Sequence, residues 1–242
     1  MLLKQLGHLA SSCSSQLMQY SVPRFCLDLL SGPAQPAQQA VQPPCSDVQL
    51  QAAMCLLFLA GYGSRLTCER LWQAGMLAVT VRQLEALMAA AEHAPRALAA
   101  AAPQAHVANE LLKGVLHVLC KAQAARYLPE VRSLRLPAKA LHLLGSVTDM
   151  LAGAAGRGDA ELWVSLQRQL SSTAIVLLTI TGAELVPSLL EGGVFSSIAT
   201  LFPKAHFTVA GNLLSLFNLS VALGGPAALE ELRRERVDRV LG

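Results

Sequence analysis

The sequence predicts an all-α fold built as a stacked helical array, an α-solenoid, and three observations predict it. Hydrophobic residues make up 53% of the 242 positions but aromatics only 5%, with long alanine and leucine runs. Ala and Leu cost least in helices, whereas sandwiches and barrels draw on β-branched and aromatic side chains. Apolar residues also recur at helical spacing nearly throughout. Finally, one distance repeats: Phe58 and Leu77, His117 and Leu136, Val176 and Phe195, and Asn218 and Val237 are each 19 positions apart. A shortened version pairs His8 with Val22, 14 apart. The first member of each pair lies near the end of one helix and the second opens another, with a short helix between.

A segment of constant length followed by a connection of variable length is what stacked layers require. Three helices define a layer, and the loop to the next layer lies on an edge that accepts insertions. Residues 1–31 read as a partial first unit, 32–46 (GPAQPAQQAVQPPCS) as a Pro/Gln-rich linker, and 47–242 as full units ending in a truncated one. Asp47 starts the helix running through QLQAAMCLLFLA, and Gly61-Tyr62-Gly63-Ser64 stops it. The short helix CERLWQAG follows, then MLAVTVRQLEALMAAAEH. The stretches 93–107, 152–159 and 203–206 read as the variable loops. Both chain ends are apolar, so a fragment of a longer array, or self-association through uncapped ends, is expected.

Charged residues are 14% of the chain, against ~25% in typical soluble domains, and so apolar a chain is not disordered. A net charge of +3 makes no case for nucleic acid as a ligand. The cysteines Cys13, Cys26, Cys45, Cys55, Cys68 and Cys120 form no CxxC pair, which speaks against a zinc site or a disulfide framework. Cys55 and Cys120 read as small buried apolar residues. A reducing compartment follows, the cytoplasm first and the nucleus second. The first 27 residues carry Lys4 and Arg24 and no acid, a transit-peptide composition. The repeat register runs through them, which favours a helical unit. Mean hydropathy is +0.43, and residues 207–229 hold no Asp, Glu, Lys or Arg. Gly224, Gly225 and Pro226 read as a helix stop, so no membrane span is expected, and an integral membrane helical protein is the alternative.

Catalytic patterns are missing. There is no Walker loop, GxGxxG or HExxH, and Gly61 to Ser64 lacks the order of a nucleophile elbow. No enzyme activity, metal or cofactor is expected. Arg157-Gly158-Asp159 reads as a solvated loop, and Asn218-Leu219-Ser220 matches a glycosylation sequon inside a helix. Lys121, Arg126, Arg132, Arg135 and Lys139 outnumber Glu130 and read as a solvated face before a binding patch.

The segments RLWQAGMLAVTV, SLLEGGVFSSI and MQYSVPRFCLDLL resemble the armadillo-repeat pattern, in which an acidic-Ala-Gly corner joins a short first helix to the second. GHLAS and LLSLFNLSVA resemble the end of its third helix. The corner glycine is present at Gly75 and Gly193 and replaced near Tyr20, Leu134 and Arg236. The resemblance covers about four and a half units and implies a right-handed superhelix whose third helices line a concave groove for an extended or helical partner. A HEAT-type helix-pair array is the near alternative.

In that family a recurrent Asn holds the partner's backbone, and a Trp four residues earlier forms pockets. Carried onto this chain, the Asn-type positions are His8, Phe58, His117, Val176 and Asn218. The Trp-type positions are Lys4, Met54, Lys113, Ser172 and Leu214. The absence of Trp speaks against importin-like recognition of basic peptides. Lys4, His8, Lys113 and His117 would give a mildly positive groove suited to an acidic or mixed-charge protein segment. Read without the resemblance, Met54, Phe58, Val176 and Leu214 are core residues first. The expected role is a non-catalytic protein-interaction scaffold.

Overall fold

In the computed structural model, residues 13, 16–19, 21–31, 47–93, 98–121, 124–152 and 160–235 are described, and among them every regular element is helical. The linker 32–46, Lys4, His8, Val237, the Arg157-Gly158-Asp159 motif and both chain ends lie outside the described residues. The chain forms two compact units, one of residues 1–83 with 100–123, the other of residues 84–99 with 124–242.

The helices are α1 (Val22–Ser31), α2 (Asp47–Tyr62), α3 (Arg65–Gln73), α4 (Met76–His93), α5 (Leu98–Lys121), α6 (Leu128–Ser133), α7 (Leu136–Ala152), α8 (Ala160–Thr181), α9 (Val186–Glu191), α10 (Val194–Leu201) and α11 (Phe207–Glu235). Single 3₁₀ turns at Ala124–Tyr127, Gly182–Leu185 and Phe202–Lys204 lead from one segment to the next. Along the chain, a short helix, a second helix and a third helix recur as α3-α4-α5, α6-α7-α8 and α9-α10-α11. Leu77, Leu136 and Phe195 stand at the first or second position of α4, α7 and α10, and each is fully buried. Their counterparts Phe58, His117 and Val176 lie in the last turns of α2, α5 and α8. The repeated distance therefore runs from the end of a third helix to the start of the next second helix.

The corner before each second helix has one geometry. Ser21, Gly75, Arg135 and Gly193 each adopt a left-handed backbone, at φ 57°, 94°, 52° and 67°. In three of them the corner N–H bonds back three residues: Gly75 to Trp72 O, Arg135 to Arg132 O, Gly193 to Leu190 O. In all four the corner carbonyl accepts the first bond of the helix that follows, from Phe25, Val79, Lys139 and Ser197. This closes the short helix and opens the next within one residue. Glycine adopts the conformation freely, whereas in Ser21 and Arg135 the Cβ crowds the carbonyl.

In the first unit, α1 lays Cys26, Leu27 and Leu30 against α2, which buries Ala53, Leu56, Leu59 and Ala60. Trp72, Met76, Leu77, Leu111, Leu112 and Val115 complete that core. Polar side chains satisfy the helix ends that would otherwise lie bare. Gln49 and Gln83 donate to Leu29 O and Leu30 O at the end of α1, at 3.4 and 2.7 Å. The Lys121 ammonium donates to Ala60 O, Gly61 O and Gly63 O, where α2 ends. The second unit centres on α8, which packs on α7 and α11 through Trp163, Leu166, Leu170, Ala174 and Leu177. Phe195 meets Phe217 edge-on, 5.5 Å between centroids. Gln167 reaches Thr148 Oγ1 at 2.7 Å inside this core.

Three expectations need correction. Residues 98–107 are not loop: α5 begins at Leu98 and carries Pro103. Alanine favours helix strongly enough there to absorb the one bond that proline withholds. Cys120 is exposed and Cys55 half-buried, because α5 buries Val118 and Leu119 and turns position 120 outward. Residues 224–226 break α11, with Gly225 at φ 51°, ψ −129°, but helix resumes through Glu235.

The corners make a direct prediction for stability. At Gly75 a Cβ would meet open space, so Gly75→Ala should lose only the backbone strain, about 1–2 kcal/mol. At Gly63 a Cβ would stand 2.2 Å from Leu59 O and 2.5 Å from Thr67, so Gly63→Ala should lose more, about 2–3 kcal/mol. Arg135→Gly should gain about 0.5 kcal/mol, released strain outweighing the entropy glycine adds to the unfolded chain. Urea unfolding of the three variants checks the order, and an Arg135→Gly protein less stable than the parent would refute the corner argument.

Candidate functional site

The candidate positions fall on α2, α5, α8 and α11, from the middle to the last turns of the first three and in the first half of α11. On α2, Ala53, Leu56, Leu59 and Ala60 are buried while Met54 is 47% exposed and Phe58 half-exposed. On α11, Leu213 and Leu216 are buried while Leu214 is 45% exposed and Asn218 exposed. Ser172 and Val176 are half-exposed on α8. The reading of Met54 and Leu214 as core is therefore corrected. Each of these helices is apolar around more than half its circumference, so hydropathy alone does not say which apolar position faces out.

In the first unit, a Cβ on Gly114 of α5 would stand 2.5 Å from Met76 Cε and 3.5 Å from Leu57 Cα, so α5 lies against α4 and α2 at this position. One turn on, the His117 ring lies 3.9 Å from where a Cβ on Gly61 would stand. Met54 and Phe58 on α2 and Lys113 and His117 on α5 thus belong to two directly apposed helices. Tyr62 extends the row: its ring centroid is 5.0 Å from that of Phe58, and the residue is 49% exposed.

The electrostatics differ from a positive groove. Lys113 Nζ lies 2.6 Å from Glu110 Oε1, one turn earlier on α5, so its charge is matched locally. His117 is held below its ordinary pKa, first by partial burial and then by the Lys121 charge. The ring is accordingly neutral near pH 7. Lys121, Arg132 and Lys139 are also engaged: Lys121 with the three α2 carbonyls, Arg132 with Glu184, and Lys139 with Glu85 at 2.5 Å.

In the second unit, Asn212 joins the two candidate helices. Its amide donates to Ser171 Oγ at 2.9 Å and Ser172 Oγ at 3.2 Å. Ser172 is thereby fixed at the α8–α11 contact, with Val176 one turn further and Leu214 and Asn218 on α11. Lys4 and His8 lie outside the described residues, so the first pair of the series has no structural counterpart here. Tyr62, Glu110 and Asn212 were missed by sequence reasoning. Tyr62 and Glu110 stand four and three positions from named candidates, a spacing that marks neighbours on one helix face.

A pH dependence follows from His117. Its folded pKa is depressed, so the unfolded chain binds the proton more readily. The stability contributed by the neutral ring is present above the ordinary value, ~6.5, and is lost as pH falls below it. Thermal unfolding at pH 7.5 and 5.5 should show a larger drop for the parent than for His117→Gln. Equal drops would mean that the ring is not desolvated against α2.

Compared with models of known families, with curated proteins and with solved structures, the chain matches none of them.

Proposed function

We propose that the chain is a non-catalytic, armadillo-like interaction scaffold of the cytoplasm that holds an extended or helical protein segment along the exposed rows of its third helices. One observation carries the reading. Residues four apart on α2, α5, α8 and α11 are exposed or half-exposed, although their helices bury many of their apolar side chains. Solvent exposure of Met54, Tyr62 and Leu214 at 45–49% leaves large apolar area that a partner would cover. The recurring short-second-third helix order and the left-handed corners support the armadillo-like reading.

The partner chemistry follows from the first unit's row. With Lys113 paired to Glu110 and His117 neutral, the row is apolar and aromatic with one carboxylate and one ammonium at its side. A mixed-charge segment bearing a large apolar anchor fits it better than a strongly acidic one.

Selection of twelve-residue peptides from a displayed random library against the full chain tests this. Met54→Glu, and separately Lys113→Glu with His117→Ala, should weaken the selected peptides about ten-fold or more, equivalent to ~1.4 kcal/mol. Helicity should persist, since exposed substitutions move stability by about 0.5 kcal/mol. Peptides that bind both folded variants as tightly as the parent would remove this row from the account.

A second reading rests on two helical stretches, Ala160–Glu191 and Phe207–Arg234, that are long and apolar enough to cross a bilayer by length and composition. Alkaline carbonate extraction of cell membranes separates the two. A scaffold is released into the supernatant, whereas a spanning protein stays in the pellet until detergent is added.

A further inference from the structure

Within the second unit, the Asn212 amide ties α11 to α8 through Ser171 Oγ and Ser172 Oγ. Nearer the start of both helices, a cavity of about 510 Å³ opens between α8 and the turn that leads into α11. Glu161, Val164, Ser165 and Arg168 line it from α8, and His206 and Thr208 line it from the other side.

The α8 wall is one helical stripe. Positions 161, 164, 165 and 168 recur at three- and four-residue spacing and are exposed or half-exposed, whereas Leu162, Trp163, Leu166 and Gln167 among them are buried. Ser172 and Val176 stand four and eight positions beyond Arg168 and are half-exposed as well. The cavity is therefore the N-terminal continuation of the α8 row.

The stripe carries one charge of each sign. Among the described residues, Glu161 and Arg168 enter no ion pair, with each other or with a third group. Seven helical residues set their backbones about 10.5 Å apart. Lys204, in the turn before His206, is held by Asp149 at 2.8 Å and does not compete for Glu161. The facing wall is different in kind. His206 Nδ1 lies 2.9 Å from Thr208 Oγ1, which holds the imidazole across the start of α11. Its ring meets that of Phe207 with centroids 4.4 Å apart, and Phe207 is 78% exposed.

We propose, on the strength of the scaffold reading above, that this cavity takes an extended peptide segment of a partner protein in which a basic and an acidic residue stand three positions apart. Glu161 receives the basic side chain. Arg168 receives the acidic one, its planar guanidinium suiting a carboxylate held at two points. An extended chain advances about 3.3 Å per residue, so three residues cover the interval that seven span on α8. Apolar side chains between the two charges lie over Val164 and beside the aromatic wall. A lone small ion is served poorly, because the charge that attracts it shares the cavity with one that repels it.

The test uses the full chain and dye-labelled peptides read by fluorescence anisotropy. The first probes are Gly-Ser-Lys-Leu-Ala-Glu-Ser-Gly and its charge-reversed order, since an extended segment can run either way. One order should bind the parent, and more weakly at high salt than at low salt. Arg168→Glu should weaken it about five-fold or more, attraction being replaced by repulsion. A peptide with Lys at both charged positions should then bind Arg168→Glu better than it binds the parent. Glu161→Lys should likewise prefer the peptide with Glu at both positions. Circular dichroism should stay unchanged, because both side chains are exposed. Met54→Glu, in the other unit, should leave the short peptide's affinity unaltered. Failure of both orders to bind the parent would overturn the proposal, as would equal binding to the folded charge variants, no recovery with matched peptides, or loss of binding in Met54→Glu. Library-selected peptides that respond to Met54→Glu while the short peptide ignores Arg168→Glu would sink the cavity and spare the scaffold reading. The reverse pattern would sink the first unit's row and spare the cavity.

Discussion

A helix can be followed by another at a sharp angle only if some residue between them leaves the right-handed region, and here Ser21, Gly75, Arg135 and Gly193 do so. Each spends its carbonyl on the helix that follows, so the direction of the second helix is set by one residue's φ and ψ. The packing of Leu77, Leu136 and Phe195, one or two residues beyond the corner, depends on that direction. Once the second helix is aimed, its buried side chains define where the third must lie. The chain accepts an αL serine and an αL arginine because burial of the following side chain outweighs about 1–2 kcal/mol of local strain.

The third helices carry two duties on different faces. Their buried sides hold each unit together, and their other sides present side chains to solvent. Small residues let both coexist. Gly114 leaves room for the Met76 side chain, and Gly61 faces the His117 ring at ordinary contact distance, with His117 and Phe58 on apposed helices. Lys121 then takes up the carbonyls where α2 ends, a role for a cation that the macrodipole of a helix C-terminus favours.

The all-α class was legible because two signals agreed, helical periodicity and a composition rich in alanine and leucine. Corners at Gly75 and Gly193 were legible because glycine advertises a left-handed turn. Those at Ser21 and Arg135 were marked only by register, since no composition rule places arginine there. Helix in 98–107 was obscured by Pro103, whose withheld bond matters less than the alanines around it. At the candidate positions, helix membership was readable and environment was not. The register named Met54, His117 and Leu214, but outward orientation in an apolar helix depends on which neighbour covers the other face. Local charge was also hidden: Glu110 and Lys113 are close in sequence, and only the side-chain geometry joins them. Contacts such as Asn212 with Ser171 need packing to be seen.

Apart from Gln49 to Leu29 and Gln167 to Thr148, which span 20 and 19 positions, the polar ties named between described helices reach similar distances along the chain. Arg82 to Ser31 spans 51 positions, Gln83 to Leu30 spans 53, Lys121 to Ala60 spans 61, Arg132 to Glu184 spans 52, Lys204 to Asp149 spans 55, and Asn212 to Ser171 spans 41. Each requires a chain segment of comparable size to be gathered, and the entropy of closure grows only slowly with length. Their closure penalties are therefore nearly level, and each tie rests on helices close to it in order. Among the described residues, none of these ties joins distant ends of the chain. It can assemble by instalments, and damage to one instalment leaves the wiring of the others in place.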